Sequence, residues 1–572
     1  MAKAKPKTKS KRSVKLTPHE KEKNAYRKEV RGIFGNSGFT RVGYISDKEF
    51  IYNGAKSDFD DVYIYENIII LIEYTVSKAD KVGDHLKPKK IVYDEILKDT
   101  SVFLDFYENK FPSLKETRSD LFDSDQCKVI ILYCAKYNVK KTHQDLISGI
   151  KYFNYPTLRY FKSVTDAIKL SSRFELFHFL GLSINNIGMN SILTSNANDV
   201  YEGSILPHSH SNFPRGYKVV SFYVDPDSLL ERSYVLRSDG WRDEVGLYQR
   251  MISKAKISAI RKYLKTEGRV FINNIIVTLP STTKLLDKNR NTVDPDKLTK
   301  TEPGIIEIPK GYNYIGLIDG QHRVFAYHEG GLYEDNIAKM RKRQNLLVTG
   351  IIYPPGVKSI DKTKFEANLF LEINSTQTNA KSDLKQTIGL MLKPFSSESI
   401  AKAVINRLNG MGALEDMFEK YFFDRDKIKT TSIVSYGLKP IVKLSGTDSF
   451  FSIWDNENKN DLLNNSNNED LLSDYISFCS ENIDYIISAI KQKIDLSKWT
   501  TDRNVKNKVL NTTAINGIII CQRLGLEDGI IGNLEFYKEK FDKVNSFDFS
   551  SYKSSQYASM GRDLYTQFLS KK

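Results

Sequence analysis

Five short apolar runs, each long enough for one buried strand, limit the folds open to this chain. In chain order they are NIIILIEYT, VIILYCA, INNIIVTL, IGLI and LLVTGIIY. Segments with apolar residues at helical spacing, such as YQRMISKAKISAIRKYL, lie between them. Alternation of strands and helices is typical of α/β domains. We therefore predict an α/β fold.

The chain is too long to be one domain. Its 572 residues exceed what a single hydrophobic core organises, so we expect about two to four domains. Polar, turn-rich stretches such as HSHSNFPRG suggest where the boundaries fall. We predict a disordered basic tail at 1–17, an α/β domain at 18–165, a connecting segment at 166–214, a second α/β domain at 215–400 and a helical region at 401–572.

No segment of the sequence predicts insertion into a membrane. A spanning helix needs about eighteen or more consecutive apolar residues, and no window approaches that length. The N-terminus has no apolar signal core, and the four cysteines have neither disulfide nor metal-ligand spacing. We expect a soluble protein of a reducing, cytoplasmic setting without a membrane partner.

The excess of basic residues is compatible with a nucleic-acid partner. The net charge is +15, and the N-terminal run KAKPKTKSKRSVK contributes seven of these charges without any acidic residue. Subtracting those seven leaves about +8 for the rest of the chain, a mild excess. The tail is predicted to attract DNA phosphate without reading sequence, or else to serve only as a solubilising extension.

The junction IGLIDGQHRVFAYHEGG concentrates polar residues where a strand runs into a helix. Backbone N–H groups at a helix N-terminus favour anions, Gly320 permits close approach, and His322 and Arg323 can add charged donors. These features predict a phosphate-binding turn. The alternative is a structural turn in which Asp319 caps the helix and Arg323 forms an internal ion pair.

The DGQHR motif resembles that of the DGQHR-domain family, whose members include the DndB-like DNA sulfur modification proteins. The preceding GLI, the following VFA, the segment YQRMISKAKISAIRKYL, the strand INNIIVTL and the segment LFLEINSTQ fall in the same order as in that family. The resemblance covers roughly residues 215–440. It implies a role in DNA modification or in defence against foreign DNA, together with DNA-modification proteins.

The same order is similar to the ParB and sulfiredoxin superfamily, an α+β fold in which this turn holds a nucleoside triphosphate. The resemblance implies that residues 319–323, Asp319, Gly320, Gln321, His322 and Arg323, bind ATP or another nucleotide, with His322 and Arg323 facing the phosphates. Gln321 stands where sulfiredoxin has its reactive cysteine, so sulfur reduction is not expected.

A later helix supplies further polar groups in the ParB-like pattern. The matching segment here is LEINSTQ. The resemblance implies that Glu372 binds the metal of a bound triphosphate and that Asn374 and Gln377 lie beside it. Alternatively, these residues form a helix cap or a polar helix face.

The N-terminal sequence resembles the PD-(D/E)XK nucleases. The stretch SDFDDVYIYENIIILIEYTVSK has an acid opening one strand and a glutamate on the next, after a helix with acidic residues and a GF turn. The resemblance implies a restriction-endonuclease-like α/β domain in which Asp61 and Glu73 bind Mg²⁺, supported by Glu22 or Glu29. Two carboxylates held across adjacent strands bind Mg²⁺, and in this pattern a lysine helps to position or activate the attacking water. Alternatively, the acids are ordinary turn residues.

The expected catalytic lysine is missing from that motif. Thr75 occupies its position, and Lys78 falls on the opposite strand face from Glu73 by period-two alternation. The Lys-Pro-Lys-Lys run at 87–90 provides the better substitutes, so we predict that Lys87 or Lys89 completes the site.

Two functions follow as hypotheses. In the first, the protein acts on DNA, binds or hydrolyses a nucleotide at the DGQHR turn, and binds or cleaves DNA through its N-terminal domain. In the second, both sites are degenerate and the protein is a non-catalytic, DndB-like DNA-binding regulator.

Overall fold

The computed structural model describes residues 17–192, 198–237, 241–242, 249–377, 382–463 and 468–570, with only the backbone described at 375–377. The chain forms two compact units. The first comprises 1–235, 239–243 and 251–357, and the second comprises 236–238, 244–250 and 358–572. Most of the predicted basic tail lies outside the described residues.

The first unit begins with a mixed five-stranded sheet. Its order is β1-β4-β5-β6-β7, with antiparallel pairs β1–β4 and β4–β5 and parallel pairs β5–β6 and β6–β7. A separate hairpin, β2–β3, lies between β1 and β4 in the chain. These strands are β1 Thr40–Arg41, β2 Phe50–Tyr52, β3 Ala55–Ser57, β4 Asp61–Tyr65, β5 Ile68–Thr75, β6 Lys128–Ala135 and β7 Lys151–Phe153.

Helices cover both faces of this sheet. They are α1 Pro18–Asn36, α2 Val82–Lys98, α3 Thr100–Lys110, α4 Pro112–Thr117, α5 Lys141–Gln144, α6 Tyr155–Ile168 and α7 Arg173–Leu180. Ile70 and Ile72 of β5 pack in one core with α1, α6 and α7, whereas Ile69 and Leu71 pack in another with α2 and α3. All eight residues of β5 are buried, because β5 is the central strand of the sheet and helices cover both of its faces.

A second, eight-stranded sheet completes the first unit. Its order is β10-β14-β11-β15-β9-β8-β13-β12. The strands are β8 Asp199–Leu206, β9 Lys218–Val224, β10 Ser233–Tyr234, β11 Ile275–Leu279, β12 Lys284–Leu286, β13 Glu302–Ile308, β14 Ile315–Asp319 and β15 Leu346–Ile352, and the helices are α8 His208–Ser211, α9 Pro226–Arg232, α10 Lys254–Glu267, α11 Gln321–Phe325 and α12 Glu334–Arg343. Its buried side chains belong to the same core as those beneath α1, α6 and α7.

The predicted connecting segment and a polar stretch further along the chain both contribute strands to this sheet. The segment 166–214 supplies β8, which pairs with β9 and β13. The polar stretch at 285–304 begins and ends in the edge pair β12–β13, where Leu285 faces Ile306. Both residues are buried. The residues between them are mostly polar, so the sequence of this stretch did not indicate two strands.

The described part of the second unit is helical. Its helices are α13 Ser359–Gln377, α14 Ser382–Leu392, α15 Ser397–Leu408, α16 Lys439–Ile441, α17 Phe450–Ile453, α18 Glu469–Lys493, α19 Thr512–Glu527, α20 Leu534–Lys540 and α21 Tyr557–Leu564, with π-helical turns at Ile433–Leu438 and Tyr565–Leu569. The long helices α18 and α19 carry the centre of its core. The long continuous part of this unit starts at Lys358, and within it α14 contacts both α13 and α15.

The chain is therefore an α/β protein, as the alternation of strands and helices predicted. Within the described residues, no helix is long and apolar enough to cross a membrane. Short 3₁₀ turns connect several of the helices, at Lys169–Ser172, Ile184–Asn186, Gly188–Ser191, Pro295–Lys297, Gly412–Leu414, Lys459–Leu462, Leu496–Lys498, Val544–Ser546 and Phe549–Ser551. All four cysteines are buried free thiols.

Candidate functional site

The two carboxylates expected to share a metal lie on opposite faces of the first sheet. In the antiparallel pair β4–β5, Asp61 is opposite Ile72, whose side chain lies in the core beneath α1. Glu73 is the next residue along β5, so its side chain points to the other face, toward α2. The structure therefore does not bring Asp61 and Glu73 together.

Asp61 is instead held in a buried network of hydrogen bonds. Its side chain is fully buried, and the Arg31 guanidinium donates to both carboxylate oxygens at 2.8 and 2.9 Å. The Tyr74 and Ser46 hydroxyls each donate to it at 2.9 Å. A carboxylate with four close donors has little capacity left for a metal ion, so Asp61 serves structure at this position.

Glu73 forms the centre of a polar cluster at the end of β5. Its carboxylate is 5% exposed, and its Oε2 atom accepts a hydrogen bond from Lys89 Nζ at 2.9 Å. Lys89 lies on α2 and also donates to the Asp58 carboxylate at 2.7 Å. The lysine thus bridges two carboxylates, one on the strand and one in the loop before β4.

His85 approaches the other oxygen of Glu73. It precedes Lys89 by four residues on α2, so both side chains lie on one helix face. The distance from His85 Nε2 to Glu73 Oε1 is 3.6 Å, and His85 Nδ1 lies 2.9 Å from the Tyr133 hydroxyl on β6. Thr75, which stands where the lysine was expected, is buried on the same strand as Glu73. The cluster is therefore built from β5, β6 and α2.

Burial shifts the protonation equilibria of this cluster. It raises the pKa of Glu73 to about 8, although the nearby Lys89 charge opposes that change. Burial also lowers the pKa of His85 to about 4, with the Lys89 charge acting in the same direction. Burial alone would lower the pKa of Lys89, but Glu73 and Asp58 raise it above its usual value. A carboxyl group that titrates near pH 8 beside a charged lysine is suited to proton transfer near neutral pH.

Asp60 stands close to this cluster but is already paired. Its backbone N–H donates to Ile72 O at 2.9 Å, and its carboxylate accepts from the Tyr74 backbone N–H at 2.6 Å. Arg27 and Lys23 of α1 form ion pairs with the same carboxylate. Burial raises the pKa of Asp60, which is consistent with a carboxylate held inside the protein.

The other residues expected at this site lie elsewhere. Lys87 is exposed, and its nearest acidic partner is Asp84 at 4.0 Å. Lys78 is exposed just beyond β5. Glu22 pairs with Lys136 and Glu29 pairs with Lys162. Of the two lysines predicted to complete the site, the structure brings only Lys89 to Glu73.

The donor set fits a metal ion only in part. The described residues contain no group of three or more histidine, cysteine or acidic side chains arranged to hold an ion. Glu73 Oε1 is the carboxylate oxygen that Lys89 leaves available, and His85 faces it. Mg²⁺ in nucleic-acid enzymes is often held by one or two protein ligands together with water and substrate phosphate. The cluster fits that kind of open site, with Glu73 as its ligand.

The DGQHR turn connects β14 to α11 in the second sheet. Gly320 adopts φ +100°, where other residues are strained, and a Cβ there would also lie 2.5 Å from Ile275 Cδ1, so glycine is strongly favoured. Arg323 donates to the Asp319 carboxylate at 2.7 Å, whereas no side chain caps the start of α11. Of the two contacts expected for a purely structural turn, the ion pair between Asp319 and Arg323 forms, whereas Asp319 does not cap α11.

His322 and the residues after the turn are fixed by α10. The backbone N–H of Ser253, the N-cap of that helix, donates to His322 Nε2 at 3.0 Å. Arg261 donates to the carbonyl oxygens of Ala326 and His328 at 2.8 and 2.7 Å. The His322 ring nitrogen that accepts this bond carries no proton, so it cannot also donate to a phosphate.

The α13 residues belong to the second unit, whereas the DGQHR turn belongs to the first. Glu372 accepts from the Asn368 amide at 2.6 Å, and the Asn374 amide donates to Phe370 O at 2.8 Å. Both contacts are local to the helix. The side chain of Gln377 lies outside the described residues.

Sequence reasoning missed three members of the Glu73 cluster, namely Asp58, His85 and Tyr133. The spacing of His85 and Lys89 on one helix was the available signal, because residues four apart share a helix face. Asp58 carried no signal of its own, since it lies in a loop. Comparisons with known proteins found no family model, no curated protein and no solved structure that matches this chain.

Proposed function

We propose that this protein acts on DNA and that its N-terminal α/β part hydrolyses phosphodiester bonds at the Glu73–Lys89 cluster with Mg²⁺ or a similar divalent ion. The observation that carries this proposal is a buried carboxylate held between a lysine and a histidine at the end of a sheet strand. The likeness to PD-(D/E)XK nucleases supports it, with Lys89 of α2 supplying the charge that Thr75 lacks.

Each group of the cluster has a distinct chemical task in this proposal. A divalent ion held at Glu73 would polarise the scissile phosphate and lower the pKa of bound water. Lys89 provides a fixed positive charge beside the carboxylate, where charge develops on the phosphate during attack. Asp58 holds Lys89 from the other side, so the ammonium stays in place when Glu73 changes its protonation state.

Cleavage of DNA by the full chain tests this function. We expect the wild-type protein to nick supercoiled plasmid or shorten linear DNA with Mg²⁺ or Mn²⁺, and Glu73→Gln to reduce the rate about 10²-fold or more. Glutamine keeps the shape of the side chain but cannot become an anion. Gel assays with both topologies measure the effect, and Glu29→Gln, on α1, is the matched control.

A wild-type protein that cuts no DNA with either metal, with or without a nucleotide, would contradict the nuclease proposal. The second candidate would then be favoured, a non-catalytic DndB-like regulator that binds DNA. One observation supports it already: the acids Asp60 and Asp61 are both neutralised by arginines of α1, which is the state of a structural rather than a metal-binding carboxylate.

We further propose that the DGQHR turn binds a nucleotide, with Arg323 as its main phosphate contact. The fixed guanidinium and the left-handed backbone of Gly320, which other residues adopt only with strain, support this role. His322 would position the turn against α10 rather than touch phosphate. With the DGQHR likeness, these features favour a place in a DNA-modification or defence system, with DNA and DNA-modification proteins as partners.

Arg323→Ala should weaken nucleotide binding. Charge-assisted contacts are worth about 1.5–3 kcal/mol each, so we expect affinity to fall about ten-fold or more. Isothermal titration with ATP, GTP and CTP in the presence of Mg²⁺ measures this. Arg290→Ala is the control, because Arg290 is an exposed arginine of the same unit. Absence of heat with all three nucleotides would leave the turn a structural one.

A further inference from the structure

We propose that His85 is a direct metal ligand at the Glu73 cluster and that the site consequently prefers a transition-metal ion such as Mn²⁺ to Mg²⁺. This inference rests on the proposed function, because it uses the same carboxylate. It adds a nitrogen ligand that the sequence resemblance did not include, and it names the class of ion that the site selects.

The spacing of the two facing atoms supports a shared ion. His85 Nε2 and Glu73 Oε1 are 3.6 Å apart, which is longer than a hydrogen bond. Two atoms that each lie about 2.1 Å from a common ion can be separated by up to about 4.2 Å. The observed separation therefore suits two ligands of one ion better than a direct contact.

The free oxygen of Glu73 is the one that faces the histidine. Lys89 occupies Oε2 at 2.9 Å, which leaves Oε1 directed toward His85. An ion between Oε1 and Nε2 would not displace the lysine from its hydrogen bond. Both charges can then be present together, as cleavage of a phosphodiester requires.

The other side of the imidazole is fixed as in a metal-binding histidine. Nδ1 lies 2.9 Å from the Tyr133 hydroxyl. Histidine ligands usually donate their second ring N–H to a fixed acceptor, which orients the lone pair of the other nitrogen toward the metal. If Nδ1 donates to Tyr133, the Nε2 lone pair points at Glu73.

The choice of ion follows from the ligand types. Mg²⁺ prefers oxygen ligands and retains its waters, whereas imidazole favours first-row transition metals. One nitrogen and one carboxylate oxygen therefore discriminate against Mg²⁺. Water and a DNA phosphate oxygen would complete the coordination, since the described residues supply no third ligand.

Electron paramagnetic resonance of bound Mn²⁺ tests the inference on the full, untagged chain. We expect a Mn²⁺ site whose electron spin-echo modulation shows ¹⁴N coupling. In His85→Gln that coupling should disappear and Mn²⁺ affinity should fall about ten-fold or more, with a smaller change for Mg²⁺. His143→Gln, at another histidine of the same sheet domain, should keep the coupling. Tyr133→Phe should keep the coupling with weaker binding.

The outcomes separate this inference from the proposed function. Mn²⁺ binding that Glu73→Gln abolishes, but without ¹⁴N coupling in the wild type, would overturn the role of His85 and leave the nuclease proposal standing. Coupling that persists in His85→Gln would also overturn it. If neither Mn²⁺ nor Mg²⁺ binding responds to Glu73→Gln, both the inference and the metal-dependent function fail.

Discussion

Lys89→Ala is expected to reduce DNA cleavage about 10²-fold or more while DNA binding stays close to that of the wild type. The substitution removes the ammonium that lies 2.9 Å from Glu73 and 2.7 Å from Asp58. One lysine contributes little to a DNA interface made by many basic groups, so affinity should hardly change. Single-turnover cleavage and filter binding, measured at the same ionic strength, separate the two effects.

Lys87→Ala is the matched control for this experiment. The two lysines are separated only by Pro88, yet the Lys87 side chain is 71% exposed and that of Lys89 is 15% exposed. Both variants lose one positive charge from α2. Because only Lys89 contacts Glu73, Lys87→Ala should cleave DNA at nearly the wild-type rate.

Loss of folding must be distinguished from loss of chemistry in Lys89→Ala. Glu73 would lose its cationic partner, but its pKa of about 8 allows it to become protonated and uncharged at neutral pH. The destabilisation should therefore be smaller than that of a stranded buried charge. A Lys89→Ala protein that remains folded and cuts DNA as fast as the wild type would contradict the proposed site.

The class of the fold could be predicted from the sequence because the central strands of both sheets, such as β5, β6, β11, β14 and β15, are short apolar runs. The face on which each acid lies was not readable. Alternation places Asp61 and Glu73 on one face or on opposite faces according to the register of β4 and β5, and a shift of one residue exchanges the faces. That register depends on the turn after Tyr65, where Glu66 adopts φ +49°. No pattern in the sequence specifies this conformation.

The lysine that completes the cluster was partly predictable. The sequence singled out Lys87 and Lys89 without choosing between them. In the structure α2 continues through Pro88, so Lys89 joins the helix face of His85 while Lys87 points to solvent. Helical periodicity alone would have selected Lys89 had the helix been assumed to continue.

At the DGQHR turn, the local structure was more predictable than the long-range contacts. Its strand and its helix were expected from the sequence. The partner of His322 was not, because the Ser253 N–H comes from a helix 69 residues earlier in the chain. Contacts at such separations depend on the packing of α10 against α11, which periodicity does not report.

Asp61→Ala should destabilise the first sheet rather than remove a metal ligand. The change leaves the Arg31 guanidinium and the buried Tyr74 hydroxyl without their acceptor. Breaking the buried ion pair and leaving the Tyr74 hydroxyl without an acceptor should lower the free energy of unfolding by about 3 kcal/mol or more. Water can hydrate the partly exposed Arg31 and so offsets part of this loss. Amide hydrogen exchange of β4 and β5 peptides reports this local free energy of opening directly.

Asp61→Asn provides the graded control for that measurement. Tyr74 and Ser46 donate to different oxygens of Asp61, so the single oxygen of asparagine can accept from only one of them, and the charge that pairs with Arg31 is lost. The exchange rates of Asp61→Asn should therefore lie between those of the wild type and Asp61→Ala. Metal affinity, measured on protein that remains folded at low temperature, should be unchanged in both variants, because Asp61 and Glu73 lie on opposite faces of the sheet. If Asp61→Ala exchanges as slowly as the wild type but loses metal binding and cleavage, Asp61 acts in the chemistry after all, and the assignment of the site to the α2 face of β5 is wrong.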